Sequence, residues 1–183
     1  MSIAAVIGKS AVENNLYMKQ SEVHGMSQRG GSVVTYVRYG EKVASPIIEK
    51  GEADIILAFE QLEAARWLEY LKPDGKIIVN SQQIDPMPVV MGAAEYPDGI
   101  IEALKASGAD IETVDALPMA VEAGNSKAVN VILIGAMAKN MTVVAKDKWL
   151  KALEENALSI ENSIKGYELR LNGKKETENT LKE

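Results

Sequence analysis

Apolar residues recur at near-helical spacing at Ile3, Val6, Ile7 and Val12, with Ser2 placed to cap the start and Asn14-Asn15 to stop it. The chain is therefore expected to begin on a helix. Residues 16–20 read as a short strand that runs into a glycine-rich stretch, residues 21–31. Residues 32–39, rich in β-branched and aromatic side chains and followed by Gly40, read as a second strand, so the stretch between them is expected to be a loop joining strand to strand. Ser45-Pro46-Ile47-Ile48 is expected to be extended, because a residue before proline is pushed out of the helical region.

The clearest unit follows. Asp54-Ile55-Ile56-Leu57-Ala58-Phe59 is an almost unbroken apolar strand, and residues 61–71 pattern as a helix with Ala64, Trp67, Leu68 and Leu71 on one face. Lys72-Pro73-Asp74-Gly75 has the composition of a helix stop, and Lys76-Ile77-Ile78-Val79-Asn80 is another apolar strand. A strand, a helix and a strand of this character make a βαβ crossover, which sets the two strands parallel and covers the sheet with helices. The predicted class is α/β.

Beyond it, Met87-Pro88-Val89-Val90-Met91 reads as extended and limited to an edge or connection by its proline. Residues 98–107 pattern as a short helix closed by Gly108, residues 110–115 alternate like a strand, and residues 118–123 suit a helical turn. Ser126 is expected to cap a helix over residues 127–139 that is apolar on nearly every side, with Gly135 and Ala136 allowing close approach. Such a helix is buried in a core or against a partner. From residue 148 the character changes to two helical patterns, one carrying Trp149, Leu150 and Leu153 and one carrying Ile160, Ile164, Tyr167 and Leu171, before a polar tail at residues 172–183. The ordinary reading is packed C-terminal helices with a solvated end, and a dedicated partner arm is the alternative. The domain expectation is one α/β domain over residues 1–147, with residues 148–183 as its C-terminal helical extension.

Composition narrows the chemistry. A chain of 183 residues with 46% hydrophobic and 25% charged residues suits one domain with a sizeable core. The net charge of -6 argues against a general nucleic-acid binder, which needs clustered Lys and Arg on phosphates. With no cysteine the chain cannot form a disulfide, a thiolate metal site or an iron-sulfur ligand set. Any redox centre must belong to a partner. The longest apolar run, residues 131–138, is far shorter than a membrane span, and the start lacks a basic leader, so no membrane role is expected and the cytoplasm is the expected location.

Three groups of residues carry candidate chemistry. His24 is the chain's single histidine and titrates near neutrality, yet it has no second histidine or cysteine for a metal shell and no nucleophile motif beside it, so no metal site and no catalytic residue is assigned. Its ordinary role is a hydrogen-bonded histidine that shapes the loop. Arg29 with Gly30 and Gly31 has the makings of an anion cradle, since glycine lets backbone N–H groups converge while the guanidinium forks onto phosphate or carboxylate. The same arginine equally suits an ion pair with an acidic neighbour or a partner subunit. Because a strand follows, neither a P-loop nor a dinucleotide fingerprint is matched. Glu22, His24, Gln28, Arg29, Gly30 and Gly31 thus form a candidate loop facing substrate or partner. Glu60, Asn80 and Ser81 form a candidate strand-end site, because open α/β sheets bind ligands at the carboxyl ends of their strands. Helix capping is a sufficient alternative for Glu60.

The run SEVHGMSQRGG from Ser21 to Gly31, followed by Ser32-Val33-Val34, resembles the beta subunits of indolepyruvate ferredoxin oxidoreductases, counterparts of the gamma domain of 2-oxoacid ferredoxin oxidoreductases. Phe59-Glu60-Gln61-Leu62-Glu63-Ala64 and the run GKIIVNSQQIDP from Gly75 to Pro86 add to the likeness, which spans Ile3 to about Tyr167. The resemblance implies a three-layer α/β/α domain with a largely parallel or mixed central sheet, in a subunit that binds no cofactor itself. It implies a larger partner that holds thiamine diphosphate and iron-sulfur clusters, decarboxylates an aryl 2-oxoacid, accepts coenzyme A and passes electrons to ferredoxin. Self-association stays open beside that partner. Subunits of this family open with an apolar strand and a GVGGQG-type turn, and this chain begins at the helix after them. The expectation is that this inner strand and turn are missing and that no cofactor is held at the N-terminus.

Two readings from other classes stand beside this one. A stand-alone domain would hold an anionic small molecule with Arg29 and the Asn80-Ser81 edge. A small hydrolase would be built on His24.

Overall fold

The computed structural model describes residues 7–8, 11–12, 15–24, 32–141 and 145–156. These fall into two compact units, one within Tyr17–Thr113 and one drawn from Met1–Leu16 with Val114–Glu183.

In the first unit, β1 (Tyr17–His24) pairs antiparallel with β2 (Val33–Gly40), in register from Tyr17 opposite Gly40 to His24 opposite Val33. The first strand was expected to stop at Gln20, with Ser21, Glu22 and His24 in the loop. Instead it runs on through His24. The eight residues of β2 present a full-length ladder, and pairing satisfies backbone groups that a loop would leave to solvent.

The βαβ unit is present as expected. Strand β3 (Ala53–Ala58) leads into α1 (Gln61–Trp67) and a 3-10 turn (Leu68–Tyr70), and β4 (Leu71–Asn80) lies parallel to β3. The helix is shorter than the 61–71 pattern, and Leu71 already belongs to the strand. Lys72-Pro73-Asp74-Gly75 corrects a second expectation, since it lies inside β4 as a bulge rather than acting as a helix stop. The register passes from Ala53 opposite Leu71 to Ile55 opposite Lys76, so residues 72–75 bow out of the ladder. A bulge is where a strand tolerates a proline with no N–H to donate. Gly75 is buried there, and an added Cβ would lie 2.8 Å from Leu71 Cδ1 and 2.9 Å from the Ala53 carbonyl oxygen. Because a backbone atom is one of the two obstacles, Gly75→Ala is expected to cost about 1–3 kcal/mol, read as a lower urea midpoint at unchanged slope. An unchanged midpoint would show that the bulge can shift freely.

Residues 87–91, expected to be extended, instead contain a single helical turn, α2 (Met87–Val90). Pro86 is the extended N-cap and Pro88 sits in the first turn, where its missing N–H has no intrahelical partner to lose. Helix α3 (Ile100–Ala106) ends before Gly108, whose φ of 83° stops the helix, and β5 (Asp110–Val114) completes a sheet of order β3-β4-β5. Ala58, Ile77 and Val79 of the sheet pack with Ala64 of α1 and with Ile100 and Leu104 of α3 into one buried cluster. Ile78 and Asn80, which alternate with Ile77 and Val79, are buried too, so β4 is covered on both faces, as its unbroken apolar run requires.

The second unit contains α4 (Ala116–Glu122), a 3-10 turn (Ser126–Ala128), α5 (Val129–Asn140) and α6 (Lys146–Asn156). Ser126 does not cap α5. The side chain of Asn125 accepts from the Lys127 N–H at 3.0 Å and starts the 3-10 turn that precedes the helix. Every residue of α5 from Val131 to Ala138 is buried, in keeping with its all-round apolar pattern. Trp149, Ala152 and Leu153 of α6 are buried as well, as are Ile7 and Ala11 in the helical backbone near the start. The pattern at residues 160–171 lies outside the described residues. No helix among the described residues is long and apolar enough to cross a membrane.

Candidate functional site

The hairpin, α1 and the ends of β3 and β4 belong to the same unit, and hydrogen bonds join them. Eight residues per strand at about 3.4 Å each make the hairpin a ribbon about 27 Å long, with Tyr17 and Gly40 at its base and His24 and Val33 at its tip. Side chains fasten it along its length. Near the base, Lys19 Nζ donates to the Ala44 carbonyl at 2.8 Å, and Arg38 donates to Glu52 at 2.6 Å and to the Ile47 carbonyl at 3.1 Å. Midway, the Tyr36 ring meets Trp67 edge-on at 6.1 Å. At the tip, the Ser32 hydroxyl donates to the carboxylate of Glu63 in the first turn of α1. The half-exposed Arg38–Glu52 pair contributes at most about 1 kcal/mol and the exposed Ser32 bond no more, so neither polar contact outweighs the Tyr36–Trp67 packing in holding the ribbon.

The tip therefore sits at the N-terminus of α1, which is also where the strands end. Glu60 is buried and caps the helix, its Oε1 accepting the Glu63 N–H at 2.9 Å. Its Oε2 accepts the Tyr96 hydroxyl at 2.9 Å. Burial first, then the hydrogen bond and negative charge of Glu60, push the Tyr96 phenol above its ordinary value. Asn80, at the end of β4 and 1% exposed, donates through Nδ2 to the Phe59 carbonyl at 3.1 Å and to Gln82 Oε1 at 3.3 Å, which occupies both amide hydrogens. The Ser81 carbonyl accepts from Gln61 Nε2 at 3.4 Å. Glu63 also accepts from Arg66 at 2.9 Å and from Trp67 Nε1 at 3.4 Å.

The ribbon tip and the strand ends, far apart in sequence, are joined by the bond between Ser32 and Glu63. The structure places Glu22 on β1 opposite Thr35 and exposed, and His24 at the last paired position of the ribbon. Gln28, Arg29, Gly30 and Gly31 lie outside the described residues. Glu60, Asn80 and Ser81 lie where expected, at the strand ends, and Glu60 and Asn80 spend their polar groups on internal hydrogen bonds. Ser32, Glu63 and Tyr96 complete the edge and were not singled out from the sequence. Glu63 had a signal, three residues after an N-cap acid in the run FEQLEA, whereas Tyr96 had none. A shallow open depression of about 440 Å³ lined by Tyr36, Ile47, Ile48, Glu49, Lys50 and Tyr70 shares no residue with this edge.

The residues present do not fit an iron-sulfur cluster. The cysteine-free chain has no thiolate to offer an iron-sulfur cluster, and among the described residues no three His, Asp or Glu side chains gather as a metal shell. What the edge does is fasten the ribbon tip to the start of α1 through Ser32 and Glu63.

A parallel βαβ sheet with a β-ribbon fastened along its helix defines an α/β protein whose ribbon tip is joined to the start of that helix, beside the strand ends. The chain belongs to the pyruvate ferredoxin/flavodoxin oxidoreductase family, whose model matches residues 1–166. It is 35% identical over 182 residues to indolepyruvate oxidoreductase subunit IorB of Thermococcus kodakarensis, covering 96% of this chain and 90% of that one. It is 40% identical over 144 residues to the protein of the same name from Pyrococcus horikoshii, covering 76% of this chain and 70% of that one. Among solved structures, the gamma subunit of a keto/oxoacid ferredoxin oxidoreductase from Geobacter sulfurreducens shares the fold, with a TM-score of 0.61 at 20% identity over 92% of this chain and 90% of that one.

Proposed function

We propose that this chain is the small, cofactor-free subunit of an indolepyruvate or related aryl 2-oxoacid ferredoxin oxidoreductase. It supports oxidative decarboxylation of the 2-oxoacid to its acyl-CoA, with ferredoxin as electron acceptor. The observation that carries this reading is the 35–40% identity to indolepyruvate oxidoreductase subunits over most of the chain. The lack of cysteine supports a division of labour in which a larger subunit holds thiamine diphosphate and the iron-sulfur clusters and works with coenzyme A. The isolated chain is then inactive. Residues 1–147 serve as the oxidoreductase-type α/β domain and residues 148–183 as its helical extension.

In this reading the ribbon carries the segment Glu22 to Gly31 to the partner, with His24 shaping the loop and Arg29 crossing to an acidic group or to substrate. Co-expression with the cysteine-rich large subunit is expected to give one co-purifying complex that reduces ferredoxin with indolepyruvate and coenzyme A. Arg29→Ala is expected to lower turnover or assembly at least about tenfold, the scale of one charge-assisted contact. Failure of the two wild-type chains to co-purify would overturn the subunit assignment, and an unaffected Arg29→Ala complex would remove the role given to the loop.

A further inference from the structure

The connection between β4 and α3 leaves the strand-end edge at Ser81 and returns to it at Tyr96, whose hydroxyl is bonded to Glu60 at 2.9 Å. Its middle is α2, and the amphipathic pattern there is turned outward. Met87, Val90 and Met91 stand at i, i+3 and i+4, one face of a helical turn, and are 40%, 66% and 68% exposed. Ile84, just before the turn, is 52% exposed. Four large apolar side chains within eight residues, all facing water, are more than the scattered singles of an ordinary surface.

The turn is also held in shape. Met91 N–H bonds the Met87 carbonyl at 2.9 Å, Gly92 N–H bonds Val89 at 2.9 Å, and the Ala93 and Ala94 N–H groups both reach the Pro88 carbonyl, at 2.8 and 3.2 Å. Gly92 takes a φ of 70°, which ends the turn at little steric cost. With a proline on either side of Met87, the apolar face is preorganised, and preorganisation reduces the entropy lost on binding.

Charge says what kind of surface would cover it. No lysine, arginine or histidine occurs between Lys76 and Lys105, while Asp85, Glu95 and Asp98 in that interval are exposed. An apolar patch with a purely acidic border in its own segment is complementary to apolar side chains bordered by Lys and Arg.

We infer that the segment from Ile84 to Met91 is a second docking surface for the large partner subunit, which meets it with apolar side chains flanked by basic ones. This rests on the subunit reading above. The connection that carries this segment is tied at Ser81 and at Tyr96 to the start of α1, where Ser32 of the ribbon tip is bonded as well.

The test uses the co-expressed complex. A Met87→Ser, Val90→Ser, Met91→Ser variant is expected to keep the thermal midpoint of the wild-type chain, since these side chains face water, and to bind the large subunit about 100-fold more weakly. A second variant, Asp85→Lys with Glu95→Lys, is expected to weaken binding at low salt and to flatten its salt dependence. If the wild-type chains form no complex, it is the subunit reading that falls. If they form one and both variants bind with wild-type affinity, the docking surface falls while the subunit reading stands. If instead the isolated wild-type chain dimerises and the triple serine variant is monomeric, the occupant is a second copy and the inference is overturned.

Discussion

Glu60→Ala is expected to destabilise the fold by about 2–4 kcal/mol, more than loss of a helix cap alone explains. The cap contributes about 1 kcal/mol. The rest comes from what the carboxylate leaves behind, because the Tyr96 hydroxyl at 2.9 Å and the Glu63 N–H at 2.9 Å would both lose their acceptor in a place where Glu60 is only 6% exposed. An unsatisfied buried donor costs about 1–3 kcal/mol. Glu60→Gln keeps one acceptor oxygen without the charge and is expected to fall between Ala and wild type. Tyr96→Phe removes a single donor and should cost about 1 kcal/mol. Guanidinium unfolding of the three variants and of the Glu60→Ala, Tyr96→Phe double variant would show a coupling above about 0.5 kcal/mol if the two groups act together. Additive effects would mean that the hydrogen bond carries nothing. The same variants bear on the loop, since Ser32 reaches the rest of the edge through Glu63.

Legibility in the sequence followed the range of each interaction. The βαβ unit was readable because its signals are local, an apolar run in β3, a 3.6-residue period over Ala64 and Trp67, and a second apolar run from Ile77. Strand β2 was readable from Val33, Val34, Tyr36 and Val37. The extension of β1 through Ser21, Glu22 and Val23 was not, because those residues are strand only by virtue of their partners Tyr36, Thr35 and Val34. Lys72-Pro73-Asp74-Gly75 misled for the opposite reason: its local preference is for a turn, and the parallel ladder on either side absorbs it as a bulge. At the candidate site the polar residues Glu60, Asn80 and Ser81 could be placed at strand ends from the crossover alone. Their partners could not, because Ser32 lies 31 residues from Glu63 and Tyr96 lies 36 from Glu60, separations at which one sequence carries no pairing signal. The family resemblance, carried by runs within the ribbon and the βαβ unit, reached the function by a route that contact chemistry does not supply.

Trp149→Ala is expected to have the largest effect of any single change in the second unit, about 3–5 kcal/mol, because truncating a buried aromatic leaves a cavity that its neighbours fill only in part. Trp149 is 1% exposed, on a helix whose other buried side chains, Ala152 and Leu153, occupy the i+3 and i+4 positions of the same face. Its indole Nε1 has no hydrogen-bond partner among the described residues, so the ring acts by volume and contact. Trp149→Phe should therefore cost much less, about 1–2 kcal/mol, since it keeps most of the apolar contact and abandons no polar bond. Urea unfolding of both variants separates the two terms. Equal losses in Phe and Ala would mean that the indole N–H is paired in solution and that α6 is pinned by that bond. A small loss in both would mean that α6 detaches without disturbing the core, which would leave the C-terminal region free to serve as a partner arm rather than as a packed part of the domain.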